Sequence, residues 1–159
     1  GSAMTTTPVT AEPSDPGGDS PHLAYRVHLS TADSIAVRAH LSPTLDYQDQ
    51  GGLRYGVSID DGPINIVNMH ADSSHAAWQQ WVGNNINVQT THHAVDSPGS
   101  HTIKFWRVDP GVVLQKLVVD TGGLQSSYLG PPESPYLPAS SVDARTETAM
   151  SPGTAPGGN

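Results

Sequence analysis

The chain has 159 residues, a net charge of −8 and only seven lysines and arginines, too few to neutralise a phosphate backbone, which excludes a nucleic-acid partner. It contains no cysteine, which excludes a disulfide scaffold and a cysteine-ligated zinc centre but does not fix the compartment. No apolar run approaches the roughly 20 residues needed to cross a bilayer, so no membrane partner is expected.

Gly1-Ser2-Ala3-Met4 has the character of a protease-site and cloning remnant. Residues 1–20 are rich in Thr, Pro, Gly and Asp, and residues 138–159 repeat that composition. Neither stretch holds enough apolar surface to offset the entropy of ordering it, so both are expected to be disordered tails. Between them, residues 21–137 form one accessory-sized domain of short period-2 segments separated by Gly, Pro, Asn and Asp.

Leu23, Tyr25, Val27 and Leu29 alternate with Arg26 and His28, and Ile35, Val37, Ala39 and Leu41 alternate with Arg38 and His40. Each set predicts a strand with one dry face. Leu53, Tyr55, Val57 and Ile59 predict a third strand, and Asp60-Asp61-Gly62-Pro63 turns the chain into a fourth over Ile64 to Met69. Ser74 to Val82, with a capping serine, two alanines and Gly83 behind them, predicts a helix of about two turns. Strands follow at Asn85 to Thr91, His101 to Val108 and Val112 to Asp120. Seven strands and one short helix predict an all-β fold, an antiparallel, jelly-roll-like β-sandwich.

The inventory of reactive groups is poor. A glycosidase needs two facing carboxylates, and the only glutamate of the predicted domain is Glu133, near its end. The aspartates, including Asp46, Asp49, Asp60, Asp61, Asp96 and Asp109, sit in turn sequences, and no nucleophile elbow, zincin helix or phosphate loop occurs. No catalytic residue is therefore expected. Eight histidines invite a zinc reading, but His92 and His93 are neighbours in a strand and point to opposite faces. His28 and His40 are expected to be neighbours on an outer face, without a third ligand. No metal is expected, although Asp46, Asp49, Asp60 and Asp61 offer the hard oxygens of a structural calcium site.

One segment, DPGVVLQKLVVDTGGLQSSYLGPPES from Asp109 to Ser134, resembles the signature that closes the C-terminal domain of glycoside hydrolase family 115. Further blocks fit in the same order: LSPTLDY from Leu41, LRYGVSIDDGP from Leu53, Trp78 with Val82 and Asn85, and GSHTIKFWRVDPG from Gly99. The resemblance implies a non-catalytic carbohydrate-binding module of a secreted or periplasmic α-glucuronidase acting on glucuronoxylan, with chemistry in domains outside this chain. It also implies two partners, a xylan-type polysaccharide and the parent catalytic domain. A structural or docking domain, packing on the catalytic portion without a ligand of its own, is the alternative. In the family's domain, further strands precede the segment like HLAYRVHL, so a sandwich edge is expected to lie open here and to favour self-association unless the N-terminal tail covers it.

Under that implication the ligand site rests on aromatic rings, whose faces stack on sugars, and on polar neighbours that read hydroxyls. Trp78, Trp81, Trp106, Tyr47, Tyr128 and Tyr136 are the candidates. Trp78 and Trp81 share a helix face; Trp78 is expected to anchor the helix and Trp81 to be the more exposed. Asn84, Asn85 and Asn87 follow, one of them claimed by the helix cap. Arg54, and Lys104 beside an outward-facing Trp106, are the basic residues expected to read an acidic sugar, with Arg107 at the end of the same strand.

Overall fold

In a computed structural model that describes residues 3–47, 49–125 and 130–136, the chain forms seven strands and one helix. They are β1 (His22–Leu29), β2 (Ser34–Leu41), β3 (Arg54–Ile59), β4 (Asn65–Asn68), α1 (His75–Asn84), β5 (Asn87–Ala94), β6 (Gly99–Arg107) and β7 (Leu114–Asp120). The strands make two antiparallel sheets, one in the order β1-β6-β3-β4 and the other in the order β5-β2-β7. The all-β sandwich expected from the alternation is the fold observed. Among the described residues no helix is long and apolar enough to cross a membrane.

The strength of the alternation decides how each strand packs. In β2, the middle strand of its sheet, Ile35, Val37, Ala39 and Leu41 are all buried. They meet Tyr55, Val57, Ile103 and Phe105 of the facing sheet in one core, where the Tyr55 and Phe105 rings stack with centroids 4.8 Å apart. β1 is an edge strand, and its apolar set is less dry than expected: Leu29 is buried, but Tyr25 is exposed. β3 is buried on both faces instead of one. A Cβ on Gly56 would come within 2.7 Å of Ile64 Cγ2, and Ser58 is buried beside it, because the β3–β4 hairpin and Trp106 close over the outer side.

The hairpin turn is held by Asp60 in a left-handed conformation (φ 50°), with the Gly62 N–H donating to the Ile59 carbonyl at 2.9 Å. His28 and His40, expected as neighbours, lie in different sheets, since β1 pairs with β6 and β2 with β5 and β7. In β5, His92 is exposed and His93 buried, the opposite faces that their adjacency requires.

The N-terminal stretch lies against the sandwich. Met4 exchanges two backbone hydrogen bonds with Leu114, at 2.8 and 2.9 Å, and the Ser14 N–H donates to the Val108 carbonyl at 2.8 Å. The Ser14 hydroxyl donates to the Arg107 carbonyl at 2.9 Å. Residues 126–129, which include Tyr128, and 137–159 lie outside the described residues, and with them the expected C-terminal tail from 138.

Candidate functional site

Helix α1 begins one residue later and ends two residues later than expected. Ser74 is its N-cap, accepting from the Ala77 N–H at 3.2 Å, and Asn85 is its C-cap, left-handed at φ 54°. Ala77 is the only buried residue of the helix, so neither tryptophan is its deep anchor. Trp78 and Trp81 are both half-buried, nearly perpendicular at 82° with centroids 6.4 Å apart. Together they form one wall of a cleft of about 540 Å³.

The rest of the cleft comes from the loop before β3 and the segment after β4: Asp46, Asp49, Gly51, Gly52, Asn68, His70, Ala71, Ser73 and Ser74. Its floor is a fixed polar network. Asn68 Nδ2 donates to the Gly51 carbonyl at 2.8 Å, while Asn68 Oδ1 accepts from the His70 N–H at 2.9 Å. Asp46 Oδ2 accepts from the Gly52 N–H at 2.7 Å, leaving Asp46 Oδ1 buried with no hydrogen-bond partner among the described residues. Only glycine fits at position 52: φ is +114°, and a Cβ there would fall 2.2 Å from Asn68 Oδ1.

His70 is held in one tautomer. The Leu53 N–H donates to Nδ1 at 3.1 Å, so that nitrogen carries no proton, and Nε2–H donates to the Thr44 carbonyl at 2.7 Å. The imidazole is therefore neutral, with its ring centroid 6.1 Å from that of Trp81. Just before α1, Asp72 Oδ1 accepts from the Ser74 N–H at 3.0 Å, and bonding to Ser74 holds the Asp72 carboxyl below its ordinary range. A carboxylate thus already sits at the positive end of α1.

Of the residues the sequence assigned to a sugar site, only Trp78 and Trp81 line this cleft. Asn84 is exposed at the far end of α1 and Asn85 serves as its cap. Asn87 is fully buried: its Nδ2 donates to the Met69 carbonyl at 2.9 Å and its Oδ1 accepts from Gln89 at 2.7 Å, so it has no face for a ligand. Trp106 does point away from the core with Lys104, yet it is only 4% exposed. The His22 ring lies 4.4 Å from it, Lys104 Nζ sits 5.7 Å from its centroid, and its Nε1 donates to Ser58 at 2.9 Å, so the expected stacking platform is covered.

The two basic residues are committed elsewhere. Arg54 makes a two-pronged pair with Asp109, Nε to Oδ2 at 2.8 Å and Nη2 to Oδ1 at 3.0 Å, and Lys104 pairs with Asp61 at 3.4 Å. The Tyr47 hydroxyl donates to the Val9 carbonyl and its ring packs on Gly111, which makes it a brace for the N-terminal stretch. Tyr136 is exposed, and Arg107 lines a separate small cavity of about 190 Å³ near Met4. Of the four aspartates considered for calcium, Asp46 and Asp49 line the cleft, whereas Asp60 is bonded to His101 and Thr102 and Asp61 to Lys104. They do not converge. Among the described residues no three His, Asp, Glu or Cys side chains are grouped to hold a metal ion.

Sequence reasoning missed Asn68, His70 and Ser73 as cleft residues and weighed Asp46 and Asp49 only as calcium ligands. The available signal was position: a run of polar side chains, Asn68, His70, Asp72 and Ser73, joins a strand directly to the helix that carries both tryptophans.

The comparisons agree with this architecture. The model of the glycosyl hydrolase family 115 C-terminal domain matches residues 1–133. Among solved structures, a family 115 4-O-methyl-α-glucuronidase described as having specificity for decorated arabinogalactans superposes with a TM-score of 0.58 at 20% identity. The superposition covers 64% of this chain but 13% of that one, so the chain spans a small fraction of that enzyme's length. A family 35 carbohydrate-binding module from Clostridium thermocellum aligns over 62% of this chain and 68% of its own, with a TM-score of 0.44 and 14% identity. No curated protein sequence matches the chain. By its match over most of its length, the chain belongs to glycoside hydrolase family 115 as that family's C-terminal domain, an accessory part that is not the catalytic portion.

Proposed function

We propose that this domain binds polysaccharide of the xylan type through the cleft beside α1, and so holds a secreted family 115 glycoside hydrolase on its substrate. The observation that carries the reading is the pairing of two half-buried tryptophans with a polar floor whose groups are joined by hydrogen bonds within the protein. Stacking needs an aromatic face that is partly open and held in place, and hydroxyl recognition needs donors and acceptors that do not have to reorganise. The cleft's volume, about 540 Å³, falls inside the range of about 300–1,000 Å³ usual for small-ligand sites. Trp106, buried and hydrogen-bonded, takes no part. The exposed apolar side chains, among them Leu45, Ile66, Val82 and Val88, belong to four different elements or loops, which gives the docking reading less support.

The stacking contribution sets the size of the test. A nucleic-acid base on an aromatic ring is worth about 1 to 3 kcal/mol, and a sugar face, lacking a π-system, is expected at the lower end. Titrating soluble glucuronoxylan, unsubstituted xylan and a decorated arabinogalactan against the protein and its Trp81→Ala variant, with tryptophan fluorescence as readout, checks the reading. Binding that weakens at least about fivefold in the variant, with an unchanged fold, supports it. A variant that binds like the parent, or a parent that binds none of the three, returns the domain to the structural role.

A further inference from the structure

Resting on the carbohydrate-binding reading, we infer that the cleft accepts a neutral stretch of glycan and disfavours uronate, so that the acidic decoration is not what this domain reads. Among the described residues, the ionisable groups that face the cleft are Asp46, Asp49 and His70, and no lysine or arginine lines it. His70 contributes no positive charge, because one ring nitrogen accepts from Leu53 and the other donates to Thr44. The remaining formal charge is that of two carboxylates, and Asp72, which does not line the cleft, lies in the chain between the lining residues Ala71 and Ser73.

Two features that would otherwise recruit an anion are already used. The positive end of α1 is met by Asp72, and the Ala77 N–H by the Ser74 hydroxyl. Arg54 and Lys104, the cations nearest in expectation, neutralise Asp109 and Asp61 on other parts of the sandwich. A uronate carboxylate entering the cleft would meet like charge with no compensating donor of opposite sign. The carboxylate of Asp49, exposed and lining the cleft, instead offers acceptors for sugar hydroxyls, donors that every neutral glycan supplies. One carboxylate pair at contact distance, screened by water, costs of the order of tenfold in affinity at most, and less at the rim.

Xylotriose and xylotriose bearing one glucuronate branch are the probes, with the indole N–H signals of Trp78 and Trp81 as the readout at low and high salt. The branched form is expected to bind about three- to tenfold more weakly at low salt, with the gap closing at high salt. Asp49→Asn is the diagnostic variant, since asparagine tolerates the left-handed backbone at φ 50° and changes only the charge. It should narrow the gap between the two probes measured on the same variant, whereas the general field of a chain with net charge −8 would hardly change. Branched xylotriose binding as tightly as the plain form, or an undiminished gap in Asp49→Asn, overturns the inference and leaves the carbohydrate reading standing. If neither probe moves the Trp78 and Trp81 signals, the carbohydrate reading fails and this inference fails with it.

Discussion

Arg54→Met separates a structural from a ligand-reading role for the most conspicuous arginine of the domain. Asp109 is 3% exposed, and its carboxylate accepts from the Arg54 backbone N–H at 2.8 Å, from Nε at 2.8 Å and from Nη2 at 3.0 Å. Methionine keeps the backbone bond and the aliphatic stem but removes both guanidinium bonds, leaving a buried carboxylate with its charge uncompensated. Hydrogen bonds to charged groups contribute about 1.5 to 3 kcal/mol each, but the Arg54 side chain is 48% exposed and water replaces part of the loss. The expected destabilisation is therefore about 2 to 3 kcal/mol, a fall in Tm of about 6 to 12 °C for a domain of this size. Chemical denaturation and xylan titration on the same sample measure both effects. Reduced stability with unchanged affinity of the folded protein agrees with the geometry. Unchanged stability with lost affinity would refute it and restore Arg54 as a sugar-reading residue.

Trp106→Ala should cost about 3 to 5 kcal/mol by denaturant unfolding, as a buried aromatic truncation does, without altering polysaccharide binding under conditions where the variant is folded. His101 should make stability depend on pH. Its Nδ1 faces Asp60 Oδ2 at 2.7 Å and its Nε2 faces the Ser97 carbonyl at 2.9 Å, so both nitrogens must donate, and the bond to Asp60 raises its pKa above the ordinary value. Such a group contributes stability that is fully present below the unfolded pKa of about 6.5 and lost as pH rises through the folded value. The stability difference between the parent and His101→Gln should accordingly shrink as pH rises above about 6.5, and a pH-independent difference would contradict the assignment. His93 has the opposite sign: burial first, and His92 second, lower its pKa, so it disfavours the folded state as pH falls below about 6.5.

Periodicity carried the fold because β2 alternates without exception, and a strand in the middle of a sheet has one face that must be dry. The same rule misread β3, where Gly56 and Ser58 look outward-facing in sequence but lie under the hairpin and Trp106. It also misjudged Trp106 itself. The direction of its side chain follows from the pleat, as does its neighbour Lys104 two residues away, whereas its burial also depends on His22, supplied across space by β1. Composition showed that residues 1–20 cannot build a core of their own, but not that Tyr47, Arg107 and Leu114 would hold them against the sandwich.

The candidate site was half legible for a similar reason. Trp78 and Trp81 are three apart on a capped helix, a local relation that sequence fixes. The floor beneath them is joined by hydrogen bonds that cross long stretches of chain, from His70 to Thr44 and to Leu53 and from Asn68 to Gly51. No period announces such bonds. Asn85 and Asn87 show how little residue type alone decides: two positions apart, one caps a helix in a left-handed conformation and the other is buried against Met69.

The three indole N–H groups are built-in reporters of the central claim, that the cleft beside α1 is where glycan binds. In a two-dimensional 1H-15N spectrum of the full chain titrated with xylan oligosaccharide, the Trp78 and Trp81 indole signals should move together along one binding curve. The Trp106 signal, its proton held by Ser58 in a buried site, should stay in place. Movement of Trp106 while Trp78 and Trp81 remain still would put the ligand on the outer face of the four-stranded sheet and contradict the account.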